Sequence, residues 1–282
     1  MKEKLKNTFT LIGEFKVLIY VVLIVLIPTI LSSLLFNKIP LLIHVGLYKD
    51  SSFWAGILGN LHNTLIDVLI FSIIVAIFTK KIETKQEIQK YLDSIDECRY
   101  LKTTETPYRI LVSIKRLNHH KVTEINLTKC YVPNVHLIKA DLTSSQMMGI
   151  NLDNTNLKSS IMKKVNLKGG SLKEAQLRAV DFSEASMKNI KCNNTNFKGA
   201  ILRNVDLCRA ELIDSTFVGT DLRGADLKEV KFDNSVFYDA NFKGAINIDI
   251  DNILKCKSLK KCKFDSAIKN QIEQIKPEIL RK

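Results

Sequence analysis

Three basic residues, Lys158, Arg178 and Lys198, stand twenty positions apart. If the fold returns the chain to one place every twenty residues, their charges line up and can hold something anionic. Asn60, Asn63 and Asp67 form a second set at i, i+3 and i+7 inside an apolar stretch. That spacing puts two amides and a carboxylate on one face of a helix. These are the two candidate sites. The six cysteines form no CxxC pair, and the five histidines sit in unrelated contexts. All six thiols read as free, in a reducing compartment. No phosphate-binding loop, GxSxG, HExxH or calcium-loop pattern is present, and the carboxylates are too evenly spread to single out an acid–base pair. The expectation is a non-enzyme with no catalytic residue, no cofactor and no metal.

The element that must position the basic set is a repeat. From Ile125 to Gly244 the chain reads in fives, in one register, for twenty-four units. The central residue of each unit is apolar, Leu or Phe in nineteen of them, with Val132, Met147, Met162, Met187 and Cys192 as the others. Two residues earlier the side chain is small or β-branched and never charged, as at Ile125, Ala140, Thr155 and Ala225. Asp or Asn often lies between, where it can hydrogen-bond its own backbone at a turn. Five suits neither a helix nor a plain strand. It suits a short side that sends two residues inward and then turns a corner. Features recur at twenty, as in Phe197, Phe217 and Phe237, so four fives make one coil and the stretch makes six. At strand spacing the stack is about 29 Å long, with Phe197, Phe217 and Phe237 in one inward column. On the outside, Lys158, Arg178 and Lys198 fall about 4.8 Å apart, whereas the side of Leu152, Leu172, Leu212 and Phe232 carries Asp153, Glu174, Asp214 and Asp233.

The units Ala140-Asp141-Leu142, Ala225-Asp226-Leu227 and Ala240-Asn241-Phe242 resemble the pentapeptide-repeat family, whose pattern is Ala-(Asp/Asn)-Leu-x-x. The resemblance implies an all-β solenoid, a right-handed quadrilateral β-helix, over residues 125–244. It is a weak guide to activity, since members share architecture rather than one chemistry. Some soluble members resemble duplex DNA and inhibit DNA gyrase. That role needs an acidic surface, and this repeat region is net positive and read as membrane-tethered, so DNA mimicry is rejected. The net charge of +13 is spread along the chain rather than gathered in one basic tract, so a solvated basic surface is expected and no nucleic-acid partner.

The flanks complete the organisation. Residues 17–36 contain no charge and are long enough to span a bilayer. A second span is read at about 57–78, ending before Lys80-Lys81. Lysines flank the outer ends of this pair, and the short connection holds little charge, which puts both termini inside. Residues 1–79 are therefore read as a two-helix membrane anchor. Residues 80–124 are read as a helical connector and N-terminal cap, with one helix over 80–102. A second helix is expected to start with Thr106 as N-cap and Pro107 in its first turn, and to carry Ile110, Leu111, Ile114 and Leu117. Residues 245–282 are read as a C-terminal cap, with Leu259 and Phe264 resuming the five-residue spacing and Ile268, Ile272, Ile275 and Ile279 on one helical face. The segments Gln89-Lys90-Tyr91-Leu92-Asp93, Arg109-Ile110-Leu111 and Arg116-Leu117-Asn118 resemble the connector of membrane-anchored pentapeptide-repeat proteins of bacteria.

The expected function is a scaffold, tethered to the inner membrane, that presents a cytoplasmic β-helix to another protein. The alternative is a small two-helix membrane effector or channel-like oligomer, with the β-helix as sensor or assembly domain. The expected partners are the lipid bilayer, an unknown cytoplasmic protein and, in the second reading, further copies of the chain. In the first reading Lys158, Arg178 and Lys198 form a docking strip for an acidic protein or an anionic membrane surface. In the second, Asn60, Asn63 and Asp67 face a shared hydrated centre. Otherwise Asp67 bonds across the hairpin, toward Thr29 or the carbonyls freed by Pro28.

Overall fold

A computed structural model of the chain describes Ile27 and residues 51–281. The first apolar run at 17–36, with Pro28 and Thr29, lies outside the described residues apart from Ile27. The chain divides into two compact units, the first ending at Gln86 and the second beginning at Glu87.

Helix α1 covers Ser51–Cys98 without interruption. The expected break at Lys80-Lys81 is absent, because nothing there stops a helix. Thr84, Lys85 and Glu87 are compatible with one, and Pro and Gly are missing from 60–98. The helix also ends earlier than residue 102, at Cys98, where Arg99-Tyr100 turns. Its segment from Ala55 is long and apolar enough to cross a membrane by length and composition, and none of that apolar window is buried. Within the first unit, Ile70, Phe71, Ile77 and Phe78 are all more than half exposed.

The second unit is a β-helix. Each five-residue unit contributes one backbone bridge, and the bridges are parallel and twenty residues apart, from Asn126↔Gln146 to Asp221↔Asn241. Where the pairing lengthens, it forms β1 (Thr216–Val218), β2 (Val236–Tyr238) and β3 (Ser258–Lys260), ordered β1-β2-β3. The residue two before the centre and the central residue both point inward. Leu127, Leu157, Met187 and Leu202 are fully buried, as are Ala175, Ala200 and Ala225. Phe217 stacks on Phe197 at 4.7 Å and on Phe237 at 4.4 Å, with ring planes within 8° of parallel.

The corners obey one rule that the composition only half reveals. The second residue after the centre has φ between 52° and 70° in every unit, from Lys129 to Gly244. Glycine fills six of these positions, and Asn, Lys, Ser, Glu and others fill the rest. This is the left-handed residue of a tight turn, normally costly without glycine. The turn is closed by bonds such as Cys130 N to Leu127 O at 3.1 Å. The residue before the centre adds an Asx turn: Asn126, Asp141, Asn151, Asn156, Asp181 and Asp221 each accept on Oδ1 from the backbone N–H two residues on. The expected corner support by Asp and Asn is thus observed. Inward hydroxyls also bond. Ser215 Oγ donates to Cys192 O at 2.6 Å and accepts from Thr195 N, while Ser235 Oγ accepts from Ser215 N. A buried Ser or Thr therefore ties a coil to the one before it.

Both ends are closed. Helix α2 (Thr106–His119) buries Ile110, Ile114 and Leu117 against the first coil, with Leu111 half-buried. Its N-cap is Glu105, not Thr106, because Thr103 already supplies the capping oxygen, accepting from Thr106 N at 3.3 Å. After Gly244 the chain makes a short detour through α3 (Ile250–Ile253) and then rejoins the stack with two extra residues. Phe237 pairs with Leu259, and Phe264 stacks on Phe242 at 4.7 Å. A further partial coil does resume. Helix α4 (Ser266–Ile275) and the 3-10 turn Pro277–Leu280 bury Ile272 and Ile279. Ile268 is half-buried, but Ile275 points to solvent at 61 % exposure, since Pro277 ends the helix before that face can close.

Candidate functional site

Lys158, Arg178 and Lys198 each follow the inward residue of one side, at Leu157, Leu177 and Phe197. Their stacking is fixed by the ladder: Ser159 N donates to Arg178 O at 2.9 Å, and Ala179 N to Lys198 O at 3.0 Å. All three are exposed. None forms an ion pair among the described residues, so the structure brings the sequence-predicted set together on one side of the β-helix.

Elsewhere basic and acidic groups meet across coils. Lys163 Nζ lies 3.2 Å from Asp181 Oδ2, Lys188 Nζ 3.0 Å from Asp206 Oδ2, and Asp221 sits between Arg203 and Arg223. The two guanidinium groups, Arg223 first, pull the Asp221 carboxyl down to about 2. Asp181 is lowered too: its burial opposes this, but the Ser183 hydroxyl and N–H and the Lys163 ammonium outweigh it. The acidic side reads differently from its sequence expectation at Asp153. That carboxylate accepts from Ser171 Oγ and from Lys173 N at 2.9 Å, so it knits two coils together.

Asn60, Asn63 and Asp67 lie on α1 at the expected i, i+3, i+7 spacing and are exposed. The structure brings them to one helix face. Thr29, the expected neighbour of Asp67, is outside the described residues.

The thiols do not form a reactive centre. Burial pushes Cys130 up to about 11 and Cys262 to about 12, and raises Cys192 and Cys256 as well. Such thiols stay protonated and act as small core hydrophobes. Among the described residues no group of His, Cys, Asp and Glu could hold a metal ion.

Two residues with a clear job were not singled out from the sequence. Arg99 donates to the carbonyls of Thr128 at 2.9 Å and Asn126 at 3.2 Å, and also reaches Asp96. Asn118 accepts from Asp141 N at 2.8 Å and donates to Asp141 O at 2.7 Å. Both stand in for the strand that the first coil lacks above it. The cues were their place, just after one helix and at the end of the next, and for Asn118 its membership of the connector-like segment Arg116-Leu117-Asn118.

With this geometry in view, comparison with known proteins is direct. A family model for pentapeptide repeats matches residues 123–158, 190–228 and 217–246, in eight copies. The repeat domain belongs to the pentapeptide-repeat family. Solved pentapeptide-repeat structures are similar to it. One is a pentapeptide repeat protein from the Arabidopsis thaliana thylakoid lumen, 26 % identical, covering 40 % of this chain and 72 % of that one, with a TM-score of 0.23. A second is full-length QnrB1, a plasmid-mediated fluoroquinolone resistance protein, 15 % identical, covering 54 % and 84 %, with a TM-score of 0.25. A third is HetL from the cyanobacterium Nostoc sp. strain PCC 7120, described as involved in heterocyst differentiation regulation, 18 % identical, covering 52 % and 92 %, with a TM-score of 0.21. No curated protein sequence matches the chain. The pentapeptide-repeat assignment accounts for the coils. It leaves α1, α2 and the basic strip to be explained by this chain alone.

Proposed function

We propose that this pentapeptide-repeat protein is a scaffold tethered to the inner membrane, with its β-helix and both termini on the cytoplasmic side. The observation that carries the reading is α1, which continues from an uncovered apolar stretch directly into the helix end that packs on the β-helix core. A row of large exposed side chains such as Phe71 and Phe78 is unfavourable in water. A bilayer would satisfy it. The β-helix itself is a rigid stack held by a continuous backbone ladder, which leaves outward side chains available for binding.

The test is purification of the full chain from native membranes with identification of what comes with it. Recovery of cytoplasmic proteins supports the scaffold. Ion leakage on expression with no protein recovered favours the second reading, in which hairpins assemble into a channel-like effector. One observation favours that second reading: Asn60, Asn63 and Asp67 share an exposed face of the same apolar helix, and polar groups at membrane depth are functional by default.

A further inference from the structure

We propose that the side of the β-helix carrying Lys158, Arg178 and Lys198 docks an acidic α-helix of a partner protein, lying along the coil axis. This rests on the scaffold reading above and names its surface and the chemistry of its partner.

The first support is charge that no ion pair among the described residues neutralises. On other sides, cross-coil ion pairs such as Lys163–Asp181 and Lys188–Asp206 cancel neighbouring charges. Exposed lysines without an ion pair among the described residues do occur elsewhere, for instance Lys168 and Lys173. Arg203, Arg223 and Lys243 also follow one another in successive coils, but there Asp221 pairs with both arginines; only in the Lys158 row are all three cations without an ion pair among the described residues. The flanking residues carry no acid in these coils: they are Asn156, Gln176 and Asn196 on one hand and Ser159, Ala179 and Gly199 on the other.

The second support is the direction of the flanking amides. Asn156 Oδ1 accepts from Lys158 N, and Asn196 Oδ1 accepts from Lys198 N at 3.0 Å. Gln176 Oε1 accepts from Asn196 Nδ2 at 3.3 Å. The amide oxygens are therefore engaged within the β-helix, and N–H groups are what remain to face outward. The side offers cations and donors and asks for acceptors.

The third support is spacing. Three cations in adjacent coils span roughly 10 Å. Carboxylates at i, i+4 and i+7 of an α-helix span about 10.5 Å. Carboxylates at i, i+2 and i+4 of an extended strand span about 13 Å and fall out of step. The small residues along the adjoining corner leave room for a helix to approach. No aromatic side chain lies between Lys158 and Lys198 on this side, so it lacks the stacking platform of a single-strand nucleic-acid site.

The experiment uses the full chain in phosphatidylcholine nanodiscs and a fluorescent alanine-rich helical peptide with Glu at i, i+4 and i+7. Binding is followed by anisotropy at about 0.15 M salt, where exposed charges more than about 8 Å apart are largely screened. The triple variant Lys158→Glu/Arg178→Glu/Lys198→Glu should weaken binding about tenfold or more. The charge-matched variant Lys168→Glu/Lys173→Glu/Lys243→Glu should stay within about twofold, since the lost contacts are local. A peptide of the same composition with its Glu residues spread around the helix should bind the wild type several-fold more weakly. Equal loss in both triple variants, unchanged binding in the strip variant, or equal binding of the two peptides would each overturn the proposal. So would strip-dependent binding to phosphatidylserine vesicles with none to the peptide, which would make the ligand a lipid surface. If the strip variant still recovers every partner from native membranes, the docking proposal fails and the scaffold reading stands. If wild type recovers no partner, the scaffold reading fails while the peptide titration still judges the strip.

Discussion

Phe217 lies fully buried between two parallel rings. Replacing it with Ala opens a cavity that neighbouring coils cannot fill, because the backbone ladder holds them at fixed spacing. Phe217→Ala should cost about 3–5 kcal/mol in denaturant unfolding of the second unit, followed by far-UV circular dichroism. No loss of stability would contradict the inward register. Asp221 makes a prediction about pH. Its folded value of about 2 lies below the ordinary Asp value of about 3.9. Its stabilisation is therefore complete above about pH 4 and is lost as pH falls through about 2. Stability curves of wild type and Asp221→Asn should differ above that window and converge below it. A constant difference from pH 5 to pH 2 would show that Asp221 acts through packing alone. At this scale the inward residues were legible, because burial repeats every five positions. The left-handed corners were only partly so: Gly149, Gly199 and the Asn residues at 134, 154 and 194 marked them, whereas Glu174 and Ala179 hid them.

At the scale of elements, the ends of the stack decide stability, since an open coil leaves donors and acceptors without partners. Asn118→Ala should destabilise the second unit by about 1–3 kcal/mol, the cost of leaving the two backbone groups of Asp141 unmet. Hydrogen exchange should show the loss first at the coil containing Asp141, and a uniform change along all coils would argue against a capping role. Helix α1 carries the other prediction at this scale. Asp67→Leu should leave membrane insertion intact and weaken self-association in detergent crosslinking, as interhelical polar contacts are worth roughly 0.6–2 kcal/mol. Unchanged crosslinking would leave α1 as an anchor only. The helix pattern foretold both α1 and α2, but it missed that the apolar stretch and the connector are one element. Local signals report helix or not; a change from apolar to charged composition does not by itself end a helix.

For the whole molecule, the proposed arrangement places the C-terminus inside. A cytoplasmic reporter fused after Lys282 should be active and a periplasmic one silent, as the lysines flanking the two apolar runs require. Activity of the periplasmic fusion would remove the cytoplasmic scaffold and with it the access of a cytoplasmic partner to Lys158, Arg178 and Lys198.

The sequence by itself determined the five-residue period, the four-sided coil, the inward columns and the alignment of the basic strip. Each of these follows from one local rule repeated in register, so a single chain read in order contains it. The tertiary structure alone decided which charges are cancelled, since Asp221 meets Arg203 from the coil before it. It also decided how Arg99 and Asn118 close the first coil, and how the chain loses step after Gly244 and recovers it two residues late at Leu259 and Phe264. Those outcomes depend on side-chain direction and on backbone groups left open at the ends of the stack. A periodic pattern carries no information about its own ends, and that is where the repeat gives way to individual hydrogen bonds.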